Sequence, residues 1–205
     1  MRMRHRMMMT ARVVSMVFTP FYLPTLGLII LFVFSYLSQL PFTYKAVVVT
    51  MVYFFTILLP TLLIHAYRTQ QRWTSWDMGR RERRMVPYVI SILCYFTCVY
   101  VMRELHIPHF MSSIVIVALI IQIVCAIVNI WWKISTHTAG IGGVTGALFA
   151  FSAIFGFNPL LWVCIVVMVA GILGTSRMIL RQHSLSQVVT GYVVGCACGV
   201  LILVV

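Results

Sequence analysis

The segment 111-MSSIVIVALIIQIVCAIVNIWWKISTHTAG-140 decides the fold class, because a long apolar run ends abruptly at a polar cluster. A helix needs about twenty apolar residues to cross the hydrocarbon core of a bilayer. Backbone groups in lipid must be hydrogen-bonded within their own segment, so such runs are helices. Including 111–132, candidate spans lie at 13–38, 46–66, 87–105, 111–132, 141–157, 159–175 and 187–205. The sequence therefore predicts an all-α, polytopic transmembrane helix bundle of about six to seven helices.

The composition agrees with a membrane environment. The chain has 205 residues, of which 62% are hydrophobic and 9% are charged, whereas a soluble domain carries roughly 25% charged residues. The six cysteines fall inside apolar segments without metal-ligand spacing, so we expect buried, reduced, structural thiols. The basic N-terminal stretch lacks a small-residue cleavage site and is expected to be a retained first helix. The expected partner of this surface is the lipid bilayer.

The basic residues lie in short clusters between the apolar runs. The chain has a net charge of +12. Because these charges do not form a basic face on a soluble domain, they argue against nucleic-acid binding. The loops 67–86, 133–140 and 176–186 are each separated by two spans, so they share one membrane face. Only Lys45 and Arg103, two of the fifteen lysines and arginines, fall on the other face. The positive-inside rule makes the shared face cytoplasmic, and we expect a bacterial inner membrane.

Small residues recur every four positions in two of the predicted spans. Gly191, Gly195 and Gly199 repeat along the last span, and Gly142 and Gly146 repeat along the fifth. Glycines at this spacing let helices approach closely. The run GIGGVTG lacks the Gly-Lys-Ser/Thr ending of a phosphate-binding P-loop, so we expect a packing role.

Three polar clusters border the shared face: 77-DMGRRERRMVPY-88, 133-KISTHT-138 and 176-SRMILRQHSLSQ-187. Each cluster alone has an ordinary explanation. The first can be an orientation signal, the second a snorkelling lysine beside a histidine at a helix end, and the third a basic membrane edge. Together they favour one anion site, because guanidinium groups and helix N-termini both bind phosphate oxygens. His183 and Gln187 are four residues apart, so on a helix they share a face and can hydrogen-bond.

These residues resemble the motifs of the type 2 phosphatidic acid phosphatase superfamily, membrane-helix bundles related to vanadium haloperoxidases. The family carries Lys-x6-Arg-Pro, Pro-Ser-Gly-His and Ser-Arg-x5-His-x3-Asp. Ser176, Arg177 and His183 match the third motif with the correct gap, and Ser135 and His137 match part of the second. The arginine cluster ending at Pro87 matches the first only loosely, without a lysine at the family spacing. The resemblance covers residues 77 to about 191.

The resemblance implies roles for named residues and a single integral-membrane phosphatase-like domain over 1–205. His183 would be the nucleophile that forms a phosphohistidine, and His137 would protonate the leaving oxygen. The groups expected to hold phosphate oxygens are Arg177, Ser135, Ser176, Arg81, Arg84 and Lys133. Gln187 stands where the family has an aspartate, so it could orient the nucleophilic imidazole but brings no charge. The resemblance implies no metal and no other cofactor.

The function expected from this resemblance is metal-independent hydrolysis of a lipid-linked phosphate or diphosphate. A catalytically degenerate relative that binds anionic lipid, or a membrane partner subunit, is the alternative that Gln187 and the incomplete second motif favour. A small transporter would explain the spans but not the paired histidine motifs, and the spans lack the acidic residue that couples ions.

Overall fold

The computed structural model describes the backbone of residues 2–34, 36–71 and 81–201 and the side chains of residues 6–33, 37–71 and 85–201. This part of the chain contains no strand, which confirms the predicted all-α helix bundle. Its helices are α1 (Arg2–Val17), α2 (Leu23–Phe34), α3 (Phe42–Gln70), α4 (Arg81–Glu104), α5 (His109–Trp131), α6 (Thr136–Phe155), α7 (Leu160–Ile179) and α8 (Leu185–Val200). A 3-10 turn, Tyr36–Gln39, precedes α3.

Five helices, α3 to α7, are long and apolar enough to cross a membrane, so the chain is a multi-pass membrane protein. Helices α2 and α8 are apolar but shorter. The prediction of one span over 13–38 is wrong, because α1 ends at Val17 and α2 begins only at Leu23. Pro20 lies in the break, and it cannot continue a helix because it has no N–H to donate.

Helix α1 is therefore a separate element, and it lies against α7. Its side chains Met7, Met9 and Met16 are exposed, and so is Arg12. A helix that combines arginine with exposed apolar side chains suits the interface between headgroups and acyl chains. The N-terminal stretch thus forms a helix of its own beside the bundle.

Helices α6 and α8 form the tightest pair, through the two predicted glycine ladders. A Cβ atom built on Gly191 would lie 2.6 Å from the carbonyl oxygen of Ser135, and one built on Gly146 would lie 2.9 Å from the Cα of Gly199. The contacts advance in the same direction along both helices, so α6 and α8 are parallel. Both helices consequently begin at the same end of the bundle, which confirms the packing role predicted for the glycines.

Two further features of the described helices have local causes. Gly156, with φ of 66°, ends α6 in the left-handed conformation, and α7 begins four residues later, so α6 and α7 form a tight hairpin. A π-helical turn at Phe54–Leu58 interrupts α3, where the Thr56 hydroxyl lies 3.3 Å from that of Thr25 in α2.

The cysteines do not all follow the prediction of buried thiols. All six are free, and Cys94, Cys98, Cys125 and Cys198 are buried. Cys164 is exposed on α7, and Cys196 is half-buried. The prediction is wrong for Cys164, because much of the surface of α7 faces away from the bundle. An apolar side chain on that surface contacts lipid instead of protein.

Candidate active site

The first wall of the site is the N-terminus of α6. Ser135 is its N-cap, and the Ser135 side chain accepts a hydrogen bond of 3.4 Å from the backbone N–H of Thr138. The Thr138 hydroxyl donates back to the Ser135 carbonyl at 3.1 Å. This cap begins α6 five residues earlier than the predicted span, because the serine satisfies backbone donors that an apolar residue would leave unpaired. His137 is thereby fixed in the first turn of α6.

The second wall is the C-terminus of α7, which carries Arg177. Gln182 N–H donates to the Arg177 carbonyl at 3.1 Å, and Arg181 N–H donates to the Met178 carbonyl at 2.9 Å. Arg181 has φ of 52°, so the helix ends in a Schellman motif with a non-glycine residue in the left-handed conformation. This turn ends α7 two residues before His183, and both His183 and Arg177 interact electrostatically with His137.

The third wall is the N-terminus of α8, which begins with a capping box. The Ser184 side chain accepts from the Gln187 N–H, and the Gln187 side chain accepts from the Ser184 N–H at 3.2 Å. The same oxygen, Oε1 of Gln187, lies 3.3 Å from Nδ1 of His183. An amide oxygen can only accept, so Nδ1 carries the proton and Nε2 carries the lone pair. Gln187 thus has both a structural and an orienting contact.

Three of the predicted site residues meet at this end of the bundle. His137 interacts electrostatically with both Arg177 and His183, although the three lie on different elements. Nδ1 of His137 and Nε of Arg177 are buried nitrogens without a hydrogen-bond partner. Buried polar atoms normally have partners, so these two nitrogens are suited to a ligand that supplies acceptor oxygens or a transferable proton.

Helix α1 closes the site from the outside. The Ser15 hydroxyl accepts a hydrogen bond of 2.7 Å from Nη1 of Arg177, and the backbone of Ser15 interacts with the His137 imidazole. Ser15 itself is buried. One serine of α1 therefore touches two of the predicted site residues.

A cavity of about 900 Å³ opens between α1 and the ends of α6 and α7, and we call it the arginine cavity. Its lining comprises Met7, Met8, Arg12, Ser15, Met16, Thr19, His137, Arg177, Ile179, Leu180, Arg181 and Gln182. Three arginines contribute positive charge and no lining residue is acidic. The methionines give one side of the cavity an apolar surface. The arrangement suits an anionic group attached to an apolar body.

The other predicted residues have varied positions. Nζ of Lys133 donates to the Gln182 carbonyl at 2.6 Å, which ties the loop before α6 to the loop before α8. Ser135 is buried and serves as the α6 cap, and its N–H faces the Gln187 carbonyl at 3.4 Å. The Ser176 hydroxyl donates to the Ile172 carbonyl of its own helix at 2.8 Å. Ser176 does not line the arginine cavity.

Arg81 and Arg84 lie in the first turn of α4, but their side chains are outside the described residues. The start of α4 does lie at the correct end of the bundle, because Nδ2 of Asn129, near the end of α5, lies 3.8 Å from the Met85 sulfur. Among the described residues, no three His, Cys, Asp or Glu side chains are grouped so that they could hold a metal ion.

Ser15 and Arg12 are site residues that no sequence motif indicates. They precede His137 and Arg177 by more than one hundred positions. The available signal was Pro20, which separates a basic, methionine-rich helix from the apolar run that follows it. A helix of that kind at the same membrane face as the three polar clusters is a candidate to cover them.

Comparisons of the chain with protein-family models, with curated proteins and with solved structures give no match. The case for a function therefore depends on the geometry of the site and on the motif resemblance.

Proposed function

We propose that the protein is a membrane-embedded phosphatase that hydrolyses a lipid-linked phosphate or diphosphate through a phosphohistidine intermediate. The carrying observation is that His137 interacts with both Arg177 and His183. His137 and Arg177 line a cavity that also carries arginine and methionine, and His183 lies outside that lining. A phosphate group would meet guanidinium donors there, while the apolar part of the substrate would stay in contact with lipid.

The nucleophile in this proposal is Nε2 of His183. Because Oε1 of Gln187 accepts from Nδ1, the lone pair of the neutral imidazole is on Nε2, which is the atom that attacks phosphorus in this proposal. The new N–P bond forms as the P–O bond to the lipid breaks, and His137, protonated at Nδ1 by the incoming phosphate monoanion, donates that proton to the departing oxygen. Arg177 holds the equatorial phosphoryl oxygens, where negative charge accumulates.

Water completes the cycle. His137, having given its proton to the lipid alcohol or lipid phosphate, accepts one from a water molecule that attacks the phosphohistidine. The N–P bond breaks, inorganic phosphate leaves and His183 returns to its starting form. Gln187 fixes the tautomer throughout, but it adds no negative charge to stabilise the positive imidazole, so we expect slower turnover than with a carboxylate at this position.

The distribution of positive charge supports one membrane orientation. The first residues of α4, α6 and α8 lie at the site end of the bundle, and basic residues cluster in the sequence near these helix starts and in α1. We propose that this end faces the cytoplasm of a bacterial inner membrane.

The test is phosphate release by the purified protein in detergent, without added metal, from dioleoyl phosphatidic acid and from a polyprenyl diphosphate. His183→Ala should lower release at least about a thousandfold, as loss of the nucleophile does in other covalent hydrolases. His109→Ala, an exposed histidine at the other end of the bundle, is the matched control. Labelled substrate should leave acid-labile phosphate on the wild-type protein and none on His183→Ala. Folded protein that releases no phosphate from either lipid would refute the proposal and favour a lipid-binding role.

A further inference from the structure

We propose that an apolar groove between α1 and α7 binds the hydrocarbon chain of the lipid whose phosphate lies in the arginine cavity. This inference rests on the proposed function for the identity of the headgroup. The groove has a volume of about 550 Å³, and its lining comprises Met7, Thr10, Ala11, Val14, Met168, Gly171, Ile172, Thr175, Ser176 and Ile179.

The apolar groove is continuous with the arginine cavity. Met7 of α1 and Ile179 of α7 line both, so a single ligand can place its charged end beside Arg177 and its tail in the groove. Gly171 lies eight residues before Ile179 on the same helix. At 1.5 Å per residue, it is about 12 Å from the shared boundary along the helix axis.

The groove has no unpaired hydroxyl group for a polar ligand, although three residues with hydroxyl groups line it. The Thr175 hydroxyl donates to the Gly171 carbonyl at 2.8 Å, and the Ser176 hydroxyl donates to the Ile172 carbonyl at 2.8 Å. The Thr10 hydroxyl likewise lies 3.0 Å from a backbone carbonyl in α1. Because these hydroxyls are paired within their own helices and no lining residue is charged, the groove favours a hydrocarbon chain.

The groove is also open where a lipid would enter. A Cβ atom built on Gly171 would meet nothing within 4 Å, and Met168 and Ile172 are exposed on the outward face of α7. Helix α7 is long and apolar enough to cross the bilayer, so this face meets acyl chains. A lipid can therefore slide its tail in sideways without leaving the bilayer.

The activity test fills the groove and compares substrates that differ only in chain length. Gly171→Trp should lower kcat/KM for dioleoyl phosphatidic acid about tenfold, because a tail displaced from the groove loses contact with apolar surface. It should leave kcat/KM for dibutyryl phosphatidic acid within about twofold, since four-carbon chains do not reach Gly171. Leu161→Trp, an exposed position near the other end of α7, should alter neither. An equal loss on both substrates, or no loss on either, would overturn the proposal.

A second measurement does not require catalysis. Gly171→Cys in a Cys164→Ser background places one accessible thiol in the groove, and Cys164→Ser alone measures the background labelling. Dioleoyl phosphatidic acid should slow maleimide labelling of this thiol at least about threefold, whereas dibutyryl phosphatidic acid should not. Equal labelling with both lipids would overturn the groove assignment. Protection without any phosphate release by the wild-type protein would refute the proposed function and leave the lipid groove standing.

Discussion

Gly195→Ala tests the close parallel packing of α6 and α8, on which the geometry of the site depends. Gly195 lies against the backbone of Ala139, two residues after His137. An added Cβ would lie 2.7 Å from the Ala139 carbonyl carbon and 2.9 Å from its Cα, whereas ordinary contacts begin at 3.4 Å. The obstacle is backbone, so it cannot be relieved by a rotamer change.

The expected cost follows from these distances. Bringing the 2.7 Å contact to 3.4 Å already requires the helices to separate by about 0.7 Å, and the Ala139 carbonyl oxygen, which lies closer still to the added Cβ, requires more. Overpacking of this kind costs about 1–3 kcal/mol, and the better helix propensity of alanine returns at most about 1 kcal/mol. Gly171→Ala is the matched control, because its Cβ would enter open space and only the propensity gain of about 1 kcal/mol remains.

The assay is thermal unfolding of the two variants in the same detergent. Gly195→Ala should unfold roughly 2–8 °C below the wild type, and Gly171→Ala at or above it. Phosphate release by folded Gly195→Ala should also fall, because displacing Ala139 moves His137 relative to His183. If Gly195→Ala were as stable as Gly171→Ala, the helices would not be in backbone contact and the reasoning would be refuted.

Three further predictions concern the site and its orientation. Ser15→Ala should lower kcat/KM for a lipid phosphate about tenfold or more, since a hydrogen bond to a charged group contributes about 1.5–3 kcal/mol; Val13→Ala, an exposed position on the same helix that lines neither cavity, should change it less than twofold, and equal effects would contradict a positioning role for Ser15. Gln187→Glu should hold or raise activity, because glutamate keeps the reach needed for the capping box and adds negative charge at a helix N-terminus; a large loss in folded protein would show that the imidazole needs a neutral acceptor. Single cysteines at Ser184 and Asn158, both exposed, should be labelled by a membrane-impermeant maleimide from opposite sides of sealed vesicles, and labelling from one side would refute the topology.

The sequence predicts the part of the fold that depends on periodicity and local chemistry. Apolar runs predict the long helices, and the glycine spacing predicts close helix packing, which the structure shows between α6 and α8. The motif spacing also selects Arg177 and His183, both of which interact electrostatically with His137. These features depend on residues that are close in the chain, where hydrophobic length and helix geometry leave few alternatives.

The contribution of α1 could not be predicted in the same way. Ser15 meets Arg177 across 162 positions, and no local pattern encodes a contact of that range. The apolar character of 13–38 favours a single span, and Pro20 marks the break without indicating that α1 packs against α7. Similarly, Ser176 fits a motif by spacing, but its hydroxyl is bonded within α7.

The parallel arrangement of α6 and α8 has a consequence for regulation by product. Each helix end carries about half a positive charge, and here two such ends stand side by side with Arg177 and Arg181 and no described acid. Parallel dipoles at this distance repel, so any small anion that occupies the space between them relieves the repulsion. In the proposed phosphatase, inorganic phosphate is the second product and is such an anion, so added phosphate is expected to inhibit turnover by occupying this space.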